Sequence, residues 1–216
     1  MMTARPHPRT PAPVLGAALA LVVLAVLVAG CSFSRPAPVK QAFLLEVPSP
    51  PPVAKAQPAT LQVRAVTVAA PFRGRSFVYR ETDLKYEADF YTEFVVAPGA
   101  MLADGTARGL ERAHAFARVV PPGTAPDGDF VLDGFFDAFH FDIRDSAKPT
   151  AEISVTYFLS RGDPLWGVPF WSKQYRRSVP VDGSTAEKQA ATLSRAFADI
   201  VAELANDLAA VALPKP

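Results

Sequence analysis

The chain is 216 residues long and half of it is hydrophobic; 22 basic residues stand against 21 acidic ones, which leaves no basic footprint for nucleic acid. Its one cysteine, Cys31, excludes an intrachain disulfide, so stability must come from a packed core, for which the length is ample.

Residues 1–10 are basic through Arg5 and Arg9, and residues 14–30 then run apolar without a charge. A basic start, an apolar run and small residues at its end are the order of a secretory signal. The run of 17 residues is shorter than the roughly 20 a membrane span usually takes. It stops at Val28-Ala29-Gly30-Cys31, which resembles the lipobox of bacterial lipoproteins. There the cysteine thiol takes a diacylglycerol, the chain is cut before it, and the new amino group takes an acyl chain. An uncleaved anchor helix with a buried cysteine is the bland alternative, because a free cysteine behaves as a small hydrophobe. The position of Cys31 and its uniqueness favour processing. Residues 1–30 are therefore expected to be a signal peptide, 31–41 a tether, and 42–213 a single domain. Cleavage removes two arginines and no acid, leaving 186 residues with 20 basic against 21 acidic groups. Ser32 stands where an aspartate would suggest retention at the inner membrane, which favours the outer membrane.

Residues 43–47 (F-L-L-E-V) read as a short strand, and 48–58, with five prolines, as a crossing loop. Residues 61–68 nearly alternate and are rich in β-branched side chains, a strand signal. A turn at 71–75 leads into extended pieces at 76–80 and 85–94. Pro98 then starts a helix to about Ala115, with Met101, Leu102, Leu110 and Ala113 on one face. Gly105 and Gly109 weaken that helix, at about 1 kcal/mol each against alanine. Residues 116–120 form a strand.

Residues 130–144 hold five phenylalanines. Phe139, Phe141 and Ile143 alternate with polar residues, whereas Phe130, Leu132 and Phe136 have the opposite parity, so a β-bulge is expected between Asp133 and Ala138. Residues 151–160 and 169–181 alternate as well and complete an antiparallel meander. Ser184 with Glu187 reads as a capping box. The helix behind it turns Leu193, Phe197, Ile200, Val201, Leu204, Leu208 and Val211 inward. Its charged residues, among them Glu203 and Asp207, face outward. The expected fold is α+β, a mostly antiparallel sheet with two helices packed on one face.

No catalytic set is legible. The chain has no G-x-S-x-G, no H-E-x-x-H and no phosphate-binding glycine loop, so no enzyme is expected. Asp137, His140 and Asp142 are too few and mismatched in parity for a metal site, and a solvated strand face explains them better. No metal or further cofactor is expected beyond the lipid on Cys31. Phe72, Phe77, Tyr79, Phe90, Tyr91 and Phe94 interleave with arginines. Core packing accounts for half of these rings and a partner surface for the rest. The stretch with Phe72, Arg73, Arg75, Phe77 and Tyr79 is the candidate contact.

The segments L-Q-V at 61–63 and A-P-F-R-G-R-S-F-V-Y-R at 70–80 resemble the ABC-type transport auxiliary lipoproteins, PqiC-like proteins associated with MCE-domain systems. The likeness continues through Tyr86, Phe90, Tyr91 and Phe94 before Pro98 and Met101-Leu102. It resumes at V-L-D-G (131–134), F-D (141–142), A-E-I (151–153) and W-S-K (171–173), and closes with the helix from Thr185. It covers nearly all of the mature chain, with soft motifs; Phe94 stands where such proteins commonly carry tryptophan. The resemblance implies a lipid-anchored, periplasm-facing adaptor in the cell envelope. Its partner would be an MCE-domain protein, with an ABC permease and ATPase behind it in lipid transport, and a homo-oligomeric ring is a form open to such proteins. The two rival readings are a lipid-binding carrier with a pocket along residues 130–143, at Phe136 and Phe139, and a structural envelope lipoprotein without a transporter.

Overall fold

The computed structural model describes residues 39–124, 128–162 and 168–214. Cys31 and the three residues before it lie outside that range. Nine strands form one sheet: β1 (Gln41–Phe43), β2 (Gln57–Val63), β3 (Thr67–Val68), β4 (Ser76–Arg80), β5 (Tyr86–Phe94), β6 (Phe116–Val120), β7 (Phe130–Asp142), β8 (Thr150–Arg161) and β9 (Trp171–Pro180). Among the described residues two α-helices accompany them, α1 (Pro98–Arg112) and α2 (Ala186–Ala210).

The aromatic strand β7 is the spine. One edge pairs antiparallel with β8 along its whole length, and β8 pairs antiparallel with β9. The other edge takes β2, β3 and β4 in succession, all parallel to it. Residues 57–80 thus run beside β7 as one interrupted strand, broken by a 3-10 turn at Ala70–Phe72. β6 adds to β2 in parallel, β5 to β4 antiparallel, and β1 to β5 in parallel. The α+β class stands. The expectation of a mostly antiparallel sheet is corrected to a mixed one: the two long ladders are antiparallel, and five of the eight pairings are parallel.

The bulge falls inside the expected window. Phe136 opposes Val155 and Ala138 opposes Ser154, so Asp137 is the extra residue. This offset brings Phe130, Leu132 and Phe136 onto the same buried face as Phe139 and Phe141. Both helices cover that face. Phe136 packs its ring on Tyr157 and on Phe197 of α2, and the Tyr157 hydroxyl meets Thr106 Oγ1 of α1 at 2.8 Å.

The glycines of α1 mark its crossing with α2. A Cβ on Gly109 would lie 2.3 Å from Val201 Cγ1, and one on Gly105 would lie 2.8 Å from Phe197 Cε1. They are costly to the isolated helix and necessary to the packed one.

α1 begins with Pro98 in its first turn and ends in a Schellman motif. His114 takes the left-handed position at φ 52°, where glycine is usual; His114 N donates to Glu111 O and Ala115 N to Leu110 O. α2 is capped by Thr185, whose Oγ1 accepts from Lys188 N, so the cap stands one residue beyond Ser184. The outward carboxylates of α2 clamp β9. Lys173 Nζ reaches Glu203 at 3.0 Å and Asp207 at 2.7 Å, Arg177 reaches Glu203 at 2.6 Å, and the Tyr175 hydroxyl donates to Asp207 at 2.7 Å. Burial and the Asp207 carboxylate push the Tyr175 hydroxyl pKa up.

Two strand expectations shift. The first strand is Gln41–Phe43, and residues 44–47 leave the sheet to lie along the helices. Leu45 N donates to Met101 Sδ, Glu46 N to Ser194 Oγ, and the Val47 side chain fills the space over Gly105 and Gly109. The single strand expected over 61–68 is two, β2 and β3, parted at residues 64–66.

Candidate functional surfaces

The wing formed by β4, β5 and β1 carries the stretch nominated from sequence. Phe72 and Phe77 are buried. Phe72 stacks on His140 at 5.1 Å, and Phe77 packs among Phe43, Phe94 and Phe141. Tyr79 is half-buried, and its hydroxyl donates to Gln189 Oε1 at 2.8 Å. Burial first, and the Asp89 carboxylate second, push its pKa up to about 12. Arg73 and Arg75 are exposed but engaged, Arg73 Nε with Val68 O at 2.8 Å and Arg75 with Glu93 at 3.1 Å. Of the five residues nominated for contact, Phe72 and Phe77 are core residues, Tyr79 is half-buried, and Arg73 and Arg75 are exposed.

The two most exposed aromatics lie on β5, two strands from β7 in the sheet. Phe90 is 69 % exposed and Tyr91 43 %, and their rings meet edge to face at 5.0 Å. They sit on a second bulge. Ser76 opposes Glu93 and Val78 opposes Ala88, so β5 has three residues more than β4 over this step. Asp89 Oδ1 fixes the excursion by accepting from Tyr91 N at 2.7 Å and Thr92 N at 2.9 Å. The sequence divides the rings of this region into core and surface halves and nominates Phe72, Phe77 and Tyr79 for contact, whereas the most exposed rings are Phe90 and Tyr91. The Asp89 turn was the signal that could have decided.

Two of the concavities among the described residues lie against the core elements. An open groove of about 790 Å³ runs between residues 44–48 and α1, with Leu45, Val47, Val96 and Met101 as walls and Arg108 and Arg112 at its rim. Arg108 is paired with Asp104, and Arg112 donates to Val47 O. On the opposite face of the sheet, a hollow of about 250 Å³ lies over β7 and β8, lined by Arg80, His140, Arg144, Glu152 and Arg176 among others. His140 is 6 % exposed, and neither ring nitrogen has a hydrogen-bond partner. Burial pulls its pKa down; the carboxylates of Glu152 and Asp142 oppose this, and Arg80 and Arg144 add to it.

Among the described residues no group of three or more His, Cys, Asp or Glu could hold a metal ion. Asp142, one of the residues weighed for that role, is tied to Arg144 at 2.7 Å. Phe136 and Phe139, the rings weighed for a lipid pocket along residues 130–143, are core residues. Among the described residues no helix is long and apolar enough to cross a membrane.

The model of a family described as "ABC-type transport auxiliary lipoprotein component" matches residues 43–205. The fold is similar to the crystal structure of a DUF330 protein from Xanthomonas campestris. The TM-score is 0.69 at 18 % identity, over 79 % of this chain and 95 % of that one. It is also similar to the crystal structure of an uncharacterized protein, with a TM-score of 0.61 at 16 % identity, over 79 % of this chain and 99 % of the other. The sequence matches none of the curated proteins.

Proposed function

This chain belongs to the ABC-type transport auxiliary lipoprotein family, and from that membership we propose that it is the envelope-tethered adaptor of a lipid transport system built around an MCE-domain protein. The observation that carries the reading is the conjunction, in one chain, of the family domain at 43–205 with the lipobox-like Val28-Ala29-Gly30-Cys31 before it. Diacylglycerol and an N-acyl chain on Cys31 hold the domain against a bilayer, where more than one chain is needed for a durable anchor. Ser32 after the cysteine favours the outer membrane. Confinement to that plane raises the effective concentration of the adaptor for a partner reaching across the periplasm from a permease and ATPase. A homo-oligomeric ring would multiply the contacts such a partner meets.

The test is capture of the full-length, lipidated chain, in vesicles, by a purified MCE-domain protein of the same organism. Saturable binding is expected. Absence of binding at high concentration, with the tether intact, would leave a structural envelope lipoprotein as the better reading. The groove beside α1 favours a second reading, in which the domain itself holds an acyl chain. In that case phospholipid would co-purify with the chain and be lost on Met101→Asp.

A further inference from the structure

The bulge on β5 places two rings in water that the fold does not use. Phe90 is the more exposed of the pair, and Lys40 Nζ stands 4.7 Å from its centroid. Along the same β1–β5 edge Leu44, Val95 and Val96 are also exposed, and Val95 N donates to Phe43 O, so these residues close the ladder together. A bulge re-aims side chains, and an apolar group turned outward in this way forfeits the stabilisation that burial would give it. A cluster of exposed large apolar residues marks a surface that something covers.

Chain length says what. Lys40 is nine residues from Cys31, and a chain extends by at most about 3.3–3.6 Å per residue. Whatever path the intervening residues take, Lys40 stays within about 32 Å of the cysteine. Phe90 lies directly against Lys40. The aromatic bulge is therefore beside the point where the domain is leashed. Phe, Tyr with a polar tip, and Lys with a long apolar stem are the chemistry of the headgroup layer of a bilayer.

We propose that the bulged β5 edge, with Phe90 and Tyr91 at its tip and Lys40 beside them, rests in the interfacial layer of the membrane that carries the lipid on Cys31. The proposal rests on the tether described above and adds a second contact, which fixes orientation. A lipid leash alone leaves the domain free to tumble. Two rings seated in the headgroups would turn the β5 edge to the membrane and hold the far strands, β8 and β9, in a set direction for a partner. Because the leash keeps the edge near the surface, even weak insertion of two side chains is well populated.

The test uses the full-length lipidated chain in vesicles of phosphatidylethanolamine and phosphatidylglycerol. Acylation blocks the one native thiol, so an introduced cysteine takes a fluorophore alone. Labels are placed by Tyr91→Cys, by Lys40→Cys, which removes no ring, and by Arg176→Cys on β9, with flotation run in parallel. With nitroxide-bearing lipids, the labels at 91 and 40 are expected to lose most of their fluorescence and the label at 176 to keep it. Equal retention at all three positions in a chain that still floats would overturn the proposal and leave the tether intact. A label at 91 that is shielded from aqueous iodide yet untouched by the lipid quencher would also overturn it, because a protein would then cover the edge. A chain that does not float would overturn both.

Discussion

Gly109 offers a sharp test of how the two helices meet. Viewed as an isolated helix, Gly109→Ala should stabilise α1 by about 1 kcal/mol. Viewed in the fold, the added Cβ falls 2.3 Å from Val201 Cγ1, well inside contact distance. Val201 is β-branched and helical, with essentially one χ1 well open to it, so it cannot swing aside cheaply. Relief must come from a shift of α1 against α2, and overpacking of this kind costs about 1–3 kcal/mol. After the propensity gain, a net loss of up to about 2 kcal/mol remains, a fall in Tm of up to roughly 8 °C for a chain this size. Thermal unfolding followed by circular dichroism would read it. Val201→Ala removes the obstructing methyls, so in that background Gly109→Ala should become neutral or stabilising, with a coupling of about 1 kcal/mol or more. A rise in Tm for Gly109→Ala in the parent chain, or strict additivity with Val201→Ala, would refute the close crossing.

Three further outcomes follow from the same contacts. Thr106→Val should cost about 1–3 kcal/mol in urea unfolding, because the buried Tyr157 hydroxyl loses its one partner. Tyr157→Phe should restore most of that loss, since no buried hydroxyl is then left unpaired. His114→Gly should stabilise by about 1 kcal/mol, the left-handed position at the end of α1 being free of strain for glycine; a loss in Tm would contradict it. His140 has its pKa lowered in the fold, so the unfolded chain binds the proton more readily. Its contribution is complete above the ordinary value of 6.5 and is lost as pH falls through the depressed folded value. His140→Phe keeps the stack on Phe72, removes two unpaired nitrogens, and should flatten the stability profile as pH falls below 6.5. An unchanged profile would show that His140 does not titrate on unfolding.

What the sequence reveals here is local. The strands at 76–80 and 116–120, the proline start of α1, the Asp133–Ala138 bulge window and the inward face of α2 all rest on periodicity, parity and stop signals within a few residues. Partner choice is not local. Nothing in residues 57–80 shows that three short strands share one edge of β7 in parallel, because that depends on residues about 60 to 70 positions away. Propensity also misleads where tertiary packing wins. F-L-L-E-V has strand character, yet its last residues serve better as a wall against α1, and the two glycines that weaken α1 alone are what let Val47, Phe197 and Val201 approach it. Interleaving with arginines did not separate inner from outer rings in residues 72–94; the bulge at Asp89 turns Phe90 and Tyr91 outward, while Phe72 and Phe77 lie in the core.

The most direct measurement is metabolic labelling with a radioactive fatty acid, run on the parent chain and on Cys31→Ser. The parent should carry label, float with membranes and migrate as the processed form, while Cys31→Ser should carry none and keep the size of the uncut precursor, with the apolar run 14–30 still attached. An unlabelled parent, with size and fractionation unchanged by Cys31→Ser, would contradict the anchored adaptor at its root.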